Sequence, residues 1–280
     1  MIQIGNYNTL IIDRFVEFGA YLKESSDSSK GEVLLPRRYV DDDMREGDEL
    51  TVFVYTDSED RPVATLEQPY AHVGQFAFLQ TAQVNRVGAF LDWGLQKNLL
   101  VPFKEQKIKM FPGGIYLVYI YLDHNSKRVV ASAKIEKFLD NVIPTYNKND
   151  KVDALIIGRN PLGYTAIVDN LHRGLIYENE IYQPLEIGSH VTAFVKNVRD
   201  EDGKLDLSLN NPDTLLRIEK IGETILDILH RDTFRISEKA SADVIKETFH
   251  CSKKDFKKAV GLLYRERKIV IDDKGIVELA

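Results

Sequence analysis

Val87-Gly88-Ala89-Phe90-Leu91-Asp92-Trp93-Gly94 places a glycine, a small residue and an aromatic in succession, and Phe18-Gly19-Ala20-Tyr21-Leu22 has the same order 69 residues earlier. Matching runs flank both. In the first copy 9–16 leads in, Val33-Leu34-Leu35-Pro36 follows, and 47–54 and 61–65 complete the set. In the second the counterparts are 78–84, Leu99-Leu100-Val101-Pro102, 114–121 and 128–132. A looser third copy runs through 152–158, 163–168, 174–177, 188–195 and 204–209, its glycine at 163 lying 75 residues beyond Gly88. Self-similarity at a fixed period marks a tandem array of one structural unit. The runs alternate, are rich in Val, Ile, Tyr, Phe and Thr, and are bounded by Gly, Asp and Asn, which predicts strands rather than helices. Five strands in about seventy residues predict a small closed barrel. The recurring glycine then serves where a strand bends round the barrel and a Cβ has no room or a bulge forms.

After Asn211-Pro212 the apolar period changes from two to about 3.6. Leu215, Leu216, Ile218, Ile221, Ile225, Leu226 and Leu229 predict one helix face. Residues 237–249 predict a second helix, with Ser241 as an N-cap candidate within it. A third is predicted over 252–267, capped by Ser252, with Phe256, Ala259, Val260, Leu263 and Tyr264 at helical spacing. Residues 268–272 and 275–279 alternate about Asp273-Lys274-Gly275, a hairpin signal. Three helices and a hairpin in that order form a winged-helix pattern.

Composition bounds the function. With 44% hydrophobic and 29% charged residues the chain of 280 residues can bury a core and keep a hydrated surface, which excludes wholesale disorder. The longest apolar run, 115–122, is far short of the ~20 residues a membrane helix needs, and 1–10 lacks a secretory pattern, so no membrane role and a cytoplasmic location are expected. A single cysteine, Cys251, excludes an intrachain disulfide and a cysteine metal cluster. The net charge of −6 argues against coating nucleic acid by bulk attraction. From Asn211 onward 14 Lys and Arg face 13 Asp and Glu, leaving −7 for the first 210 residues, so any nucleic-acid surface must be local.

The three copies resemble S-one-type RNA-binding domains, five-stranded OB-fold modules, and the whole chain is similar to the conserved virulence factor B family of bacterial RNA-binding proteins. The likeness rests on the order of modules, on FGAYL at 18–22, VGAFLDWG at 87–94 and LLVP at 99–102, and on the basic segment SKKDFKKAVGLLYRERKI at 252–269. It implies a mainly β fold with an α/β tail: three tandem barrels over 1–68, 69–142 and 143–210, then a winged-helix domain over 211–280. It also implies a face built from the aromatics around the Gly-Ala pair and from acidic and basic residues near the last turn. In the first copy these are Phe18, Tyr21, Asp57 and Arg61. In the second they are Phe90, with Val87 in place of the other aromatic, and Arg128, with Trp93 nearby. In the third, Leu162 and Thr165 replace both aromatics, Tyr177, Asp200 and Lys204 fit, and Tyr164, His172 and Arg173 are additional candidates.

Single-stranded nucleic acid presents flat bases and a negative backbone, so exposed aromatics flanked by Arg or Lys suit it, each stacked base contributing ~1 to 3 kcal/mol. The competing reading is that these aromatics fill the barrels. Phe18 and Tyr21 fall on opposite faces of a regular strand unless the glycine bulges. In the tail, Lys253, Lys254, Lys257 and Lys258 share one helix face, with Arg265, Arg267, Lys268 and the hairpin Lys274 close in sequence. Such a face suits phosphates of RNA or DNA, or is simply a solvated helix face. It has no Asn, Gln or Arg cluster for reading bases, so backbone contact without sharp sequence choice is expected.

Enzymatic readings fail on chemistry. The glycine spacing over 158–165 is that of a phosphate loop, but Tyr164 stands where the lysine is required and a strand follows. The six histidines are scattered, neither H-E-x-x-H nor G-x-S-x-G occurs, and Asp41-Asp42-Asp43 sits beside Arg37, Arg38 and Arg45 as a solvated turn. The expectation is a non-enzymatic regulator that binds single-stranded RNA and needs no cofactor. A winged-helix DNA-binding transcription regulator and a protein-interaction scaffold stand as alternatives.

Overall fold

A computed structural model describes residues 1–25, 31–182, 185–231 and 235–280, and divides the chain into two units, Met1–Leu139 and Asp140–Ala280. In the first unit, β1 (Asn6–Val16), β2 (Gly19–Lys23), β3 (Val33–Pro36), β4 (Glu49–Thr56) and β5 (Pro62–Thr65) close a barrel in the order β1-β2-β3-β5-β4. The strands β6 (Phe76–Val84), β7 (Gly88–Asp92), β8 (Leu99–Pro102), β9 (Ile115–Leu122) and β10 (Val129–Ser132) repeat that order. In the second unit, β11 (Lys151–Asn160), β12 (Gly163–Val168), β13 (His172–Tyr177), β14 (His190–Val198) and β15 (Leu205–Ser208) do so again. In each barrel the third and fifth strands pair in parallel and every other pairing is antiparallel.

Alternation fills the interiors. Leu10, Ile12, Ala20, Leu22, Leu35, Val52 and Val54 form the buried core of the first barrel, with their strand neighbours facing out. The repeated glycine permits closure: a Cβ on Gly19, Gly88 or Gly163 would stand 2.1, 2.3 or 2.0 Å from the carbonyl oxygen of Leu35, Val101 or Ile176 on the adjoining strand. No side chain fits there. Each first strand also carries a bulge at the same place, between Ile12 and Arg14, Thr81 and Gln83, and Ile156 and Gly158. The bulge re-aims the next residue, so Arg14, Gln83 and Gly158 lie opposite Tyr21, Phe90 and Thr165.

The two barrels of the first unit are fused through apolar packing. On β4, Val52 and Val54 point inward, which turns Phe53 and Tyr55 outward into a cluster shared with Trp93, Leu95 and Leu99 of the second barrel. Val73 N donates to Gly5 O at 2.9 Å beside this seam.

The second unit ends in α1 (Thr214–Arg231), β16 (Ile236–Ser237), α2 (Ala242–Phe249), α3 (Lys253–Arg265), β17 (Ile269–Ile271) and β18 (Ile276–Leu279), with the sheet ordered β16-β18-β17. Ile218, Ile221, Ile225, Ile245, Phe256 and Leu263 form its core. The hydroxyls of Ser241 and Ser252 accept from Val244 N and Asp255 N, capping α2 and α3 as expected. Two expectations are corrected. The segment before Ser241 is not helical, because 236–237 pair with β18 as an edge strand. Leu215 and Leu216 are 58% and 54% exposed and do not join the buried face of α1. Leu216 lies about 160° round the helix from Ile218, and Leu215 sits in the first turn, outside the core. Among the described residues no helix is long and apolar enough to cross a membrane.

Candidate nucleic-acid interface

The first barrel brings its predicted aromatics together. Phe18 lies in the turn before β2, where strand alternation does not apply, so it reaches the same side as the half-buried Tyr21. Their rings meet edge to face at 6.3 Å, and Phe18 remains 56% exposed. The bulge sets the Arg14 guanidinium 4.3 Å from the centre of the Tyr21 ring. Arg14 is oriented by both oxygens of Glu32, at 2.8 and 3.0 Å, and by Asp13. The hydrogen bonds it donates to Glu32 and then to Asp13 raise its already high pKa, so it stays charged. Sequence reasoning missed Arg14; the available signal was its place just after the bulge, across from the aromatic of β2. Arg61 donates to Asp57 Oδ2 through Nε and Nη2 at 2.9 and 2.7 Å and pairs with Glu59 at 2.9 Å.

In the second barrel Phe90 is half-buried between Gln83 and Leu100 on the equivalent surface, with Val87 50% exposed beside it. Arg128 is held by Asp60, which belongs to the β4–β5 turn of the first barrel, and Lys97 lies 3.7 Å from the same carboxylate. Burial lowers the Lys97 pKa despite the nearby Asp60. Trp93 is corrected as a site residue. It is 2% exposed, packs edge to face on Phe53 at 5.7 Å, and donates from Nε1 to Lys97 O at 2.7 Å. Its ring belongs to the seam between barrels, where a base cannot reach it.

The third barrel departs furthest. Tyr164 follows the closure glycine and so takes the inward position that Ala20 and Ala89 hold; it is 8% exposed and is not a stacking platform. His172 is likewise corrected: it is 2% exposed and its ring meets Tyr146 edge to face at 5.5 Å. Arg173 is accessible but pairs with Asp140 at 2.8 Å. The Tyr177 hydroxyl donates to Asp206 at 3.1 Å and accepts from Arg199, and Lys204 pairs with Asp202 at 2.6 Å. Leu162 is exposed and Thr165 half-buried where the other barrels place aromatics or Val87.

On α3 the charge is differently disposed. Lys254, Lys257 and Lys258 are exposed and Lys253 half-buried, and none of the four forms an ion pair among the described residues. The acid within that run, Asp255, is engaged by Arg217 at 3.3 Å. Arg265 bonds to Gly261 O at 3.2 Å and Lys268 pairs with Glu266 at 2.8 Å. The predicted site bases of the barrels, Arg61, Arg128, Arg173 and Lys204, are each matched by an acid, whereas the α3 lysines present unpaired positive charge. Among the described residues no group of His, Cys, Asp and Glu is placed to hold a metal ion.

The S1 domain model matches residues 4–67 and the CvfB-like winged helix domain model matches 223–277. YitL of Bacillus subtilis is 27% identical over 278 residues, covering 95% of this chain and 90% of that protein. Conserved virulence factor B of Staphylococcus aureus is 27% identical over 241 residues, covering 83% of this chain and 80% of the relative. A crystal structure of a multidomain protein with nucleic acid binding domains from Streptococcus pneumoniae aligns over 99% of this chain and 98% of that one, at 24% identity and a TM-score of 0.40. The chain therefore carries an S1 domain and a CvfB-like winged helix domain, and it resembles the conserved virulence factor B proteins over most of its length.

Proposed function

We propose that this chain is a non-enzymatic protein of the cytoplasm that binds single-stranded RNA and acts in post-transcriptional control of gene expression. Its modules run over 1–68, 69–142, 143–210 and 211–280. The observation that carries the reading is the pairing of exposed Phe18 with half-buried Tyr21, with Arg14 across the Tyr21 ring. An open aromatic surface beside a fixed cation offers stacking to unpaired bases, which a duplex keeps inside its own stack. Phe90 extends the same surface type to the second barrel, and the α3 lysines add sequence-independent phosphate contacts.

The test is a titration of the full chain with single-stranded RNA, single-stranded DNA and duplex DNA at two salt concentrations, repeated with Phe18→Ala and Tyr21→Ala. Expected is preference for single strands and a loss of about 1 to 3 kcal/mol in RNA affinity per platform removed. Phe18→Ala should leave thermal stability nearly unchanged, because that ring is largely in water. Tighter binding to duplex DNA, unaffected by either change, would replace this reading with that of a winged-helix DNA regulator. No binding to any nucleic acid would favour the scaffold.

A further inference from the structure

A cleft of about 720 Å³ lies within the second unit, lined by residues of β11, β14 and the first turns of α1 and by residues 249–251. None of its lining residues belongs to the strand-binding set above. Its volume suits a small organic ligand. The half-buried Tyr182 and Phe194 supply aromatic surface, and the exposed Leu216, unexplained by the core of α1, borders it. Two cations stand on opposite walls, Lys151 at the start of β11 and Lys220 on α1, and neither forms an ion pair among the described residues. The other charges are matched: Glu180 is paired with Lys196, and Arg217 with Asp255. Asn211 Oδ1 already accepts from Asp213 N at 2.9 Å, so its amide nitrogen is the group left to donate to a ligand.

We propose that this cleft binds a nucleoside phosphate, the base lying against Phe194 and Tyr182 and the phosphate held by Lys151 and Lys220. A planar body suits the aromatic side chains and a dianionic end suits the two unpaired ammonium groups of the same lining. The same chemistry is carried by a free nucleotide and by the phosphorylated end of a nucleic-acid chain.

The full chain is titrated calorimetrically with AMP, GMP, CMP and UMP, with the corresponding nucleosides, with inorganic phosphate, and with a trinucleotide bearing or lacking a 5′-phosphate. A second readout is alkylation of Cys251, the single cysteine, which is buried in the lining of the cleft. Burial pushes its thiol up to about 11, so modification near neutral pH is slow and reports access. Expected is saturable nucleotide binding at about 1 mM or below, about tenfold or more tighter than nucleoside or phosphate alone, with Cys251 alkylation slowed at saturation. Combined Lys151→Ala and Lys220→Ala should weaken it about tenfold or more, while Phe18→Ala leaves it unchanged, which separates this site from the strand-binding reading. Both lysines are exposed, so the variant retains its circular dichroism. Binding of free nucleotides identifies that source; binding of the 5′-phosphorylated trinucleotide alone identifies a chain end. The absence of saturation by any phosphate-bearing ligand up to about 5 mM overturns the proposal, as does saturation indifferent to the two lysines.

Discussion

Replacing Trp93 by Ala separates a seam residue from a stacking residue. The indole is 2% exposed, meets Phe53 edge to face at 5.7 Å, and gives the Lys97 carbonyl its hydrogen bond at 2.7 Å. Truncating a buried Trp costs about 3 to 5 kcal/mol through forfeited transfer energy and the cavity left behind. The missing aromatic pair, about 0.5 to 1.5 kcal/mol, and an orphaned carbonyl place this site toward the upper half of that range. A loss of about 4 kcal/mol corresponds to a fall of roughly 8 to 16 °C in the midpoint of a unit of this size. Far-ultraviolet circular dichroism against temperature and urea is the suitable assay, since the variant has no tryptophan to follow by fluorescence. Trp93→Phe keeps an aromatic against Phe53 and should cost less than half as much. A stability change below about 1 kcal/mol, accompanied by a drop in RNA affinity of the size expected for one stacked base, would refute the assignment of Trp93 to the seam.

Asp60→Asn should free Arg128 and Lys97 and tighten single-stranded RNA about two- to fivefold; filter binding would show no gain when Arg128→Ala is also present, and a gain that persists would dissociate Asp60 from Arg128. Combined Ala substitution of Lys253, Lys254, Lys257 and Lys258 should leave the melting temperature in place and flatten the log-log salt dependence of RNA affinity by roughly 0.7 for each phosphate no longer neutralised; an unchanged slope would leave these lysines as a solvated face. Gly163→Ala puts a methyl 2.0 Å from Ile176 O and should destabilise the second unit by about 3 kcal/mol in urea unfolding, a loss that a barrel closed by packing elsewhere would not show. Burial alone would raise the Glu105 carboxyl, but hydrogen bonds from Ser132 and Lys137 outweigh it and hold the pKa below the ordinary glutamate value. Its contribution is therefore present above the unfolded-state pKa and is lost as pH falls through the folded value. Ser132→Ala should move that acid loss of stability to higher pH in melts recorded between neutral and acidic conditions.

The barrels were readable from the chain because their determinants are local. Alternation selects the inward residues, and Gly19, Gly88 and Gly163 mark the one position per copy where a neighbouring carbonyl leaves no room for a Cβ. The helix caps at Ser241 and Ser252 were readable for the same reason, since each acts on a backbone amide three residues away. Phe18 and Tyr21 were found as a pair, although whether they shared a side depended on Phe18 lying in a turn rather than in the strand.

The rest depended on partners distant in sequence. Period-two alternation says which residues leave a barrel's interior, but not whether they then meet water or another module. Phe53 and Trp93 both do the latter, which converts an apparent platform into the packing between two barrels. Tyr164 could be placed inward only once the closure glycine fixed the register of the third copy. Pairing is more distant still: Arg128 is neutralised by Asp60, 68 positions away, and Arg14 reaches Tyr21 only because a bulge shifts one strand by a residue. Local sequence thus decided where the chain bends and which faces are apolar. Which charges stay free for a ligand was decided only when the closed barrels brought acids and bases from different modules within reach of one another, because an ion pair depends on distance in space and not along the chain.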